Sequence, residues 1–209
     1  MKGIYLASYT ANHPEHDIVY QDINGKRDIP GDMMDCDLEP YDYIIATPPC
    51  NWWSRANYRR NQSEYALKTK HLLIDILNKL ISIGKPFIVE NVRNDKFFKE
   101  YGLFDLPGYV YKIGRHTYWT NIDCELIFRN IIQKPKVEIR DGKRIWLSSQ
   151  NLPRNQRQGG EEVHEVIEKW IAYVEIRTLM KKSMIWIKKI ERKKLNGKIS
   201  IEKSIIRRT

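Results

Sequence analysis

The chain has 209 residues, which is enough for one well-packed core. Its formal net charge of +10 is concentrated in residues 175–209, which hold 12 of the 36 Lys and Arg but only 3 of the 26 Asp and Glu. Three cysteines without C-x-x-C spacing indicate neither a disulfide framework nor a zinc motif. No apolar run reaches membrane-spanning length and the first residues lack a signal-peptide pattern, so we expect a cytoplasmic protein.

Two histidines near the N-terminus, His13 and His16, have a spacing that would suit a metal pair. Pro14 lies between them, and the neighbouring sequence offers no third ligand. We therefore predict a surface turn here and no metal site.

The most informative segment is an apolar strand, residues 43–46, that runs into Thr47, Pro48, Pro49 and Cys50. Two consecutive prolines fix the backbone and remove two amide donors. The pattern predicts a rigid loop that projects the Cys50 thiol away from the end of a strand.

A second apolar strand, residues 87–89, stops in the same way at Glu90. Between the two strands, Ser63 can cap a helix whose apolar residues recur at helical spacing until Gly84 and Pro86. A right-handed crossover through that helix makes the strands parallel and brings Cys50 and Glu90 to one edge of the sheet. Ligands of open α/β sheets bind at that edge.

A thiol and a carboxyl group at neighbouring strand ends suggest a nucleophile and a proton donor. A free thiol has a pKa of about 8.5, so it needs a nearby cation or base, for which Arg55, Arg93 and Arg115 are candidates. A carboxyl group held partly protonated by a dry site can donate to a ring nitrogen. The pair therefore suits addition to an electron-poor heterocycle.

The segment after the thiol is rich in aromatic and cationic side chains, the groups that stack on bases and hold phosphates. From this segment and from the end of the second strand we predict a DNA-binding set of Trp52, Trp53, Ser54, Arg55, Arg59, Arg60 and Arg93.

The remaining chain divides into three parts. Residues 121–157 predict a small β appendage that contains a hairpin over residues 136–146 with an Asp-Gly turn. Residues 161–174 predict a helix that returns to the sheet, so that residues 1–174 form one α/β domain. Residues 175–209 form a basic helical tail whose apolar stripe suits polynucleotide, an anionic membrane or simple packing on the body. We expect polynucleotide because of the motifs elsewhere.

These motifs resemble the cytosine-C5 DNA methyltransferases, in particular short phage-type members. Residues 41–50, followed by Ser54, are similar to the family's Pro-Pro-Cys loop, although Asn51 stands where Gln is usual. Residues 87–92 are similar to its Glu-Asn-Val motif, and residues 114–119 to its Arg-containing strand. Residues 12–14 and Asp22-Ile23 are similar to the helix and the acidic residue that follow the cofactor strands, and residues 158–174 are a weaker match to the closing helix.

The resemblance implies a transferase of restriction-modification type that methylates C5 of a flipped cytosine in DNA. Cys50 would attack C6, Glu90 would protonate N3, Asn91 would orient the surroundings of Glu90, and Arg115 would steady the base. S-adenosylmethionine would be bound by Asp22, Ile23 and Pro48. The target base must be extruded because a stacked cytosine exposes neither face to a thiol.

The chain departs from the family at its N-terminus, where residues 1–11 contain one glycine and no carboxylate. We therefore expect a partial Rossmann-like methyltransferase sheet that lacks its first β-α-β unit, and an incomplete cofactor pocket. Three explanations stay open: a split enzyme whose second chain supplies the missing half, a truncated DNA-binding remnant without activity, or an incomplete gene product.

Overall fold

The structure is a computed structural model that describes residues 1–129, 131, 137–140, 143–146 and 159–206. Side chains are described for residues 1–129, 131 and 162–189. The chain divides into two units, Met1–Trp170 and Ile171–Thr209. Within the described part of the chain, no helix combines the length and the apolar character that crossing a membrane requires.

The first unit is built on a seven-stranded sheet in the order β3-β2-β1-β4-β5-β7-β6. The strands that run from β3 to β5 are parallel to their neighbours, whereas β7 is antiparallel to both β5 and β6. The predicted α/β class with a mostly parallel sheet is therefore confirmed. The strands are β1 (Lys2–Leu6), β2 (Asp17–Asp22), β3 (Ile29–Pro30), β4 (Tyr43–Ala46), β5 (Phe87–Val92), β6 (Tyr109–Ile113) and β7 (His116–Thr120).

Five α-helices and a separate hairpin complete the described chain. The helices are α1 (Glu64–Thr69), α2 (Leu72–Ile83), α3 (Asp95–Glu100), α4 (Glu125–Phe128) and α5 (Gly159–Ile206). The predicted hairpin is confirmed as the antiparallel pair β8 (Val137–Arg140) and β9 (Lys143–Trp146). Its Asp141-Gly142 turn lies outside the described residues.

The predicted crossover between β4 and β5 is confirmed, with one interruption. Ser63 caps α1, since its hydroxyl oxygen accepts a hydrogen bond from the amide of Ala66 at 3.2 Å. The helix is broken at Lys70 and His71 before α2 begins. At the far end Gly84 adopts a φ of 71°, the left-handed conformation that closes a helix at little cost for glycine.

The two faces of the sheet bury different partners. On one face α2 buries its apolar stripe completely, at roughly 1.5–3 kcal/mol per large side chain. The other face carries Tyr5, Tyr43 and Tyr118, and residues of α5 before the unit boundary pack on it. There the Trp170 ring lies 6.0 Å from that of Tyr43, and its indole N–H donates to Thr120 Oγ1 at 3.2 Å.

The N-terminal residues correct one prediction. They form β1, which is a central strand of the sheet with β2 and β4 on either side, so the sheet does not lack its first strand. What the first β-α-β unit lacks is its helix, because residues 7–16 connect β1 to β2 without one. The helix that the resemblance implied around residues 12–14 is therefore also absent.

The predicted helix over residues 161–174 is part of α5, which continues to Ile206 without a break. The predicted boundary at residue 175 consequently does not coincide with a helix end. Within the second unit, Ile176, Leu179 and Met184 are exposed along the helix.

Candidate active site

The candidate site lies where the sheet changes its direction of winding. The chain crosses from β1 to β2 in one direction along the sheet and from β4 to β5 in the other, so the loops after β1 and β4 leave from the middle of the sheet in opposite directions. A crevice at this switch point is the usual ligand site of such sheets. Thr47 joins the two loops, because its hydroxyl donates to the carbonyl oxygen of Ala7 at 2.9 Å.

The loop that carries Cys50 is held in place by the neighbouring strand. The side-chain amide of Asn91, which is 1% exposed, donates to the carbonyl oxygen of Pro48 at 3.0 Å. Beyond the thiol, the amide of Ser54 donates to the carbonyl oxygen of Cys50 at 2.8 Å. The role expected for Asn91 was to orient Glu90, and its observed contact fixes the proline loop.

Cys50 and Glu90 lie at the same edge of the sheet. Ala46 pairs with Val89, so Glu90 stands one residue beyond the last paired position of β4, at the level of Thr47. Burial raises the pKa of the half-buried Cys50 thiol, and the charge of Glu90 raises it further. The charge of Glu90 acts on the thiol because both groups stand at the carboxyl ends of adjacent parallel strands.

Glu90 is the most perturbed carboxyl group of the site. Burial raises its pKa to about 7, which the nearby His116 partly opposes and Glu162 reinforces. Its side chain is only 12% exposed. The neighbouring Tyr118 hydroxyl is buried and has no hydrogen-bond partner among the described residues. At neutral pH Glu90 is therefore divided between an ionised form and a form that can donate a proton.

Two further residues of the site, His116 and Glu162, were not predicted. His116 Nε2 lies 3.8 Å from Glu90 Oε1, and its Nδ1 is hydrogen-bonded to Glu162 Oε1 at 3.0 Å. Burial lowers the pKa of His116, but the Glu162 hydrogen bond and the charge of Glu90 outweigh it, and the net shift is upward. The result is a chain of three titratable groups that leads from Cys50 toward α5.

Glu162 reaches His116 because Gly114 leaves room for it. A Cβ atom at Gly114 would overlap the Glu162 carboxyl group, and the φ of 51° also favours glycine there. The motif at residues 114–119 contains both Arg115 and its neighbour His116, so the sequence did hold a signal for His116. No sequence signal connects Glu162 to the site, since it lies in another part of the chain.

The predicted activation of the thiol by arginine is not found. Arg55 and Arg115 are exposed, and Arg93 forms an ion pair with Asp95 at 3.0 Å. None of these three offsets the upward shift in the pKa of Cys50. The upward shift in the pKa of Cys50 therefore keeps the thiol protonated at neutral pH.

The predicted DNA-binding set is only partly on the surface. Trp52 and Trp53 are 8% and 0% exposed, and Trp53 packs against Phe98 and Tyr101 in the core. The structure therefore places both indoles in the core and not on a surface where bases could stack. Arg60 also has a structural task, since it packs on Phe97 and donates to the carbonyl oxygen of Ser54.

Three members of that set and one further arginine stay exposed. Ser54 is half-buried and its hydroxyl accepts from the amide of Ala56 at 3.3 Å. The arginines that reach solvent are Arg55, Arg59, Arg93 and Arg115.

The predicted cofactor residues lie beside the same crevice. Asp22 ends β2 and is 6% exposed, and its carboxylate accepts from the amides of Tyr9 at 3.1 Å and of Asn24 at 2.8 Å. The contact with Tyr9 fixes the loop after β1. Of the other two predicted residues, Ile23 is 68% exposed and Pro48 is buried beside the thiol loop.

The loop after β1 lacks glycine but adopts a glycine-like backbone. Ala7 has a φ of 52° and Tyr9 a φ of 42°, both in the left-handed region. Such conformations cost a non-glycine residue on the order of 1 kcal/mol and accumulate at ligand sites. The loop after β1 thus has the left-handed backbone of a tight turn, although its sequence lacks the glycine that usually marks one.

A scan against protein-family models finds no matching family, and a search of curated proteins finds no matching sequence.

Glu90→Gln should change how stability depends on pH. The raised pKa means that folding favours the protonated carboxyl, so the wild type loses stability as pH rises from about 4.5 through about 7, by at most about 3 kcal/mol. Glutamine cannot ionise, so the variant should lack this loss. Urea unfolding at pH 5 and pH 8 measures the difference.

Glu100→Gln, which alters an exposed carboxyl group, provides the control and should keep the wild-type pH dependence. Parallel stability curves for the wild type and Glu90→Gln would show that the Glu90 carboxyl group titrates as it would in water.

Proposed function

We propose that this protein is a cytosine-C5 DNA methyltransferase, in which Cys50 adds to C6 of an extruded cytosine and Glu90 supplies the proton that N3 requires. The observation that carries the proposal is the buried Glu90 carboxyl group, with a pKa of about 7, coupled to a thiol across the ends of two adjacent parallel strands. Addition of sulfur to a pyrimidine needs these two functions in one place.

The architecture supports the same reading. The strand order from β3 to β5 is that of a doubly wound dinucleotide-binding sheet, and the thiol loop leaves from its switch point. The finer description as a Rossmann-like methyltransferase sheet follows from combining this order with the motifs at residues 41–50 and 87–92. Since β1 and β2 are both present, the sheet needs no second chain to complete it.

Glu90 itself can accept the proton of the Cys50 thiol, whose pKa is shifted upward. A protonated thiol beside a carboxylate and a thiolate beside a carboxylic acid are two forms with the same number of protons. Transfer of the Cys50 proton to Glu90, directly or through one water, removes the negative charge that opposes the thiolate. The transfer also loads Glu90 with the proton that it gives to the base.

In the addition step the Cys50 sulfur forms a bond to C6, and the C5–C6 π electrons move toward C5 as Glu90 protonates N3. His116 and Glu162 lie behind Glu90, and a positive imidazole there stabilises the carboxylate after its proton has left. After C5 has received the methyl group, the C5 proton departs to solvent, and elimination breaks the C6–sulfur bond and returns the thiolate. Glu90 then takes the proton back from N3.

S-adenosylmethionine supplies the methyl group that C5 receives. In this chain Asp22 is the acidic residue at the end of the second strand, the position from which such sheets contact a ribose hydroxyl. Ile23 offers an exposed apolar surface for an adenine ring. The left-handed turn at Ala7 would bring the backbone of the loop after β1 close to the bound cofactor.

DNA would be held mainly through phosphate contacts. Exposed cations occur on the segment after Cys50, at Arg55 and Arg59, and at the tip of the β6–β7 hairpin, at Arg115. Such contacts give affinity without reading bases. With both tryptophans in the core, recognition of the target sequence falls to parts of the chain outside this set.

The alternative of an inactive DNA-binding remnant predicts salt-sensitive DNA binding without chemistry at Cys50. No contact in the described residues favours it over the enzyme. The perturbed carboxyl group favours the enzyme, since a scaffold gains nothing from a buried acid that titrates near neutral pH.

Covalent trapping tests the nucleophile. With S-adenosylmethionine and a random-sequence duplex pool carrying 5-fluorocytosine, the wild type should form a stable adduct, because fluorine at C5 cannot leave as a proton. The amount formed should rise with pH through about 7, as Glu90 becomes able to accept the thiol proton. Denaturing gels and peptide mapping measure the product.

Cys50→Ser should abolish the adduct, and Glu90→Gln should slow it by about 10²–10⁴-fold. Cys36→Ser alters a half-buried thiol elsewhere and should have no effect. A wild-type chain that binds the pool but forms no adduct, or an adduct retained by Cys50→Ser, would refute the proposed chemistry.

Calorimetric titration with S-adenosylmethionine tests the cofactor pocket separately. The isolated chain should bind S-adenosylmethionine. Asp22→Asn should weaken this binding by roughly tenfold, because a hydrogen bond to a charged group is worth about 1.5–3 kcal/mol and a large part of it would be lost. Asp17→Asn changes the opposite end of the same strand and should bind like the wild type. Equal affinity in the two variants would exclude Asp22 from the pocket.

A further inference from the structure

A cluster of three histidines and a glutamate lies outside the candidate active site. His13 and His16 come from the β1–β2 connection, and His164 and Glu168 from successive turns at the start of α5. The predicted surface turn is present, since the amide of His16 donates to the carbonyl oxygen of His13 at 3.1 Å and Pro14 and Glu15 are exposed, but the His13 side chain is 1% exposed. The third ligand that the local sequence did not offer is provided by a helix about 150 residues away.

The cluster is tightly connected. One Glu168 carboxylate oxygen lies 2.5 Å from His13 Nδ1 and the other lies 2.9 Å from His16 Nε2. The rings of His13 and His164 lie 4.3 Å apart with their planes 16° from parallel. A ligand atom from each of His13, His164 and Glu168 falls within 4.8 Å of the others.

The backbone around the cluster prepares it for a ligand. The amide of His13 donates to the Tyr20 hydroxyl at 2.6 Å, which anchors the loop. His164 Nε2 lies 3.0 Å from the carbonyl oxygen of Asn12, which selects the tautomer with the proton on Nε2. Its Nδ1 then carries the lone pair, and a carbonyl that fixes the far nitrogen is the usual support of a metal-binding histidine.

We propose that His13, His164 and Glu168 bind one divalent transition-metal ion, with Zn²⁺ as the best match, while His16 holds the second carboxylate oxygen of Glu168. Two imidazoles and a carboxylate form a donor set typical of open zinc sites in which water takes the fourth position, and tetrahedral coordination places ligand atoms about 3.4 Å apart. The exposed His164 can close the remaining gap by rotating its side chain. The ion takes the place of the proton between His13 and Glu168, and the neutral His13 ring then carries its single proton on Nε2.

The bound ion would fasten the β1–β2 connection to the first turns of α5, all within the first unit. The ordinary reading of the cluster, a carboxylate shared by two histidines, also joins these segments but needs no ion. Only the metal site requires His164 as a ligand, so substitution of this exposed residue distinguishes a metal site from a carboxylate shared by two histidines.

The test is titration of the untagged, chelator-treated full chain with ZnCl₂ by calorimetry and with CoCl₂ by visible absorption. The wild type should bind one equivalent with the spectrum of a tetrahedral Co²⁺ site lacking sulfur. A hundredfold excess of Zn²⁺ over its dissociation constant should raise the melting temperature on the order of 5 °C. His164→Gln should weaken binding by at least about tenfold.

Two variants serve as controls. His71→Gln alters an exposed histidine that stands four residues before a carboxylate on another helix, as His164 does, and should bind like the wild type. Cys50→Ser should also bind normally, which separates this site from the proposed chemistry. Absence of binding, or equal binding by the wild type and His164→Gln, would overturn the proposal.

Discussion

The site depends on the removal of the Glu90 carboxyl group from water beside the Cys50 thiol. Burial raises the pKa of both groups, and the charge on Glu90 raises that of the thiol again. The charge on Glu90 therefore opposes ionisation of Cys50, and by reciprocity a Cys50 thiolate would oppose ionisation of Glu90. A reaction that consumes a thiolate and a carboxylic acid at the same moment uses this coupling.

The sheet creates the coupling with few parts. Parallel pairing of β4 and β5 brings the two strand ends to one edge, and Asn91 fastens the proline loop so that the thiol keeps its position. Packing of α5 on the sheet supplies Glu162 to the His116 imidazole behind Glu90. The same helix carries the histidine and glutamate that face the β1–β2 connection, so its first turns serve two clusters.

Much of this architecture could be predicted from local sequence. Alternation and capping predicted β4, the crossover and β5, because the Ser63 cap and Gly84 act through short-range backbone chemistry. The strand β1 was missed because its five residues carry no glycine-rich turn, although Ala7 and Tyr9 adopt the left-handed backbone of one. Backbone strain at such residues is maintained by contacts elsewhere in the fold, so the local amino-acid composition does not reveal it.

Where the structure differs from the expectation at the site, contacts between distant segments are the cause. Trp53 has a side chain that stacks on bases, but it is buried by Phe98 and Tyr101, which follow about 45 residues later. His13 looked like a surface residue because its partner Glu168 is distant in sequence. Residue type and spacing predicted that Cys50 and Glu90 lie at one edge of the sheet, whereas contacts between remote segments determined which other residues joined them.

The most direct test of this account is the pKa of the Cys50 thiol, measured by the pH dependence of iodoacetamide alkylation in a chain whose other cysteines, Cys36 and Cys124, are replaced by serine. If the Glu90 carboxylate faces the thiol, Glu90→Gln should lower that pKa, because the opposing charge is gone while the burial stays. A thiol pKa that is unchanged or higher in Glu90→Gln would contradict the account.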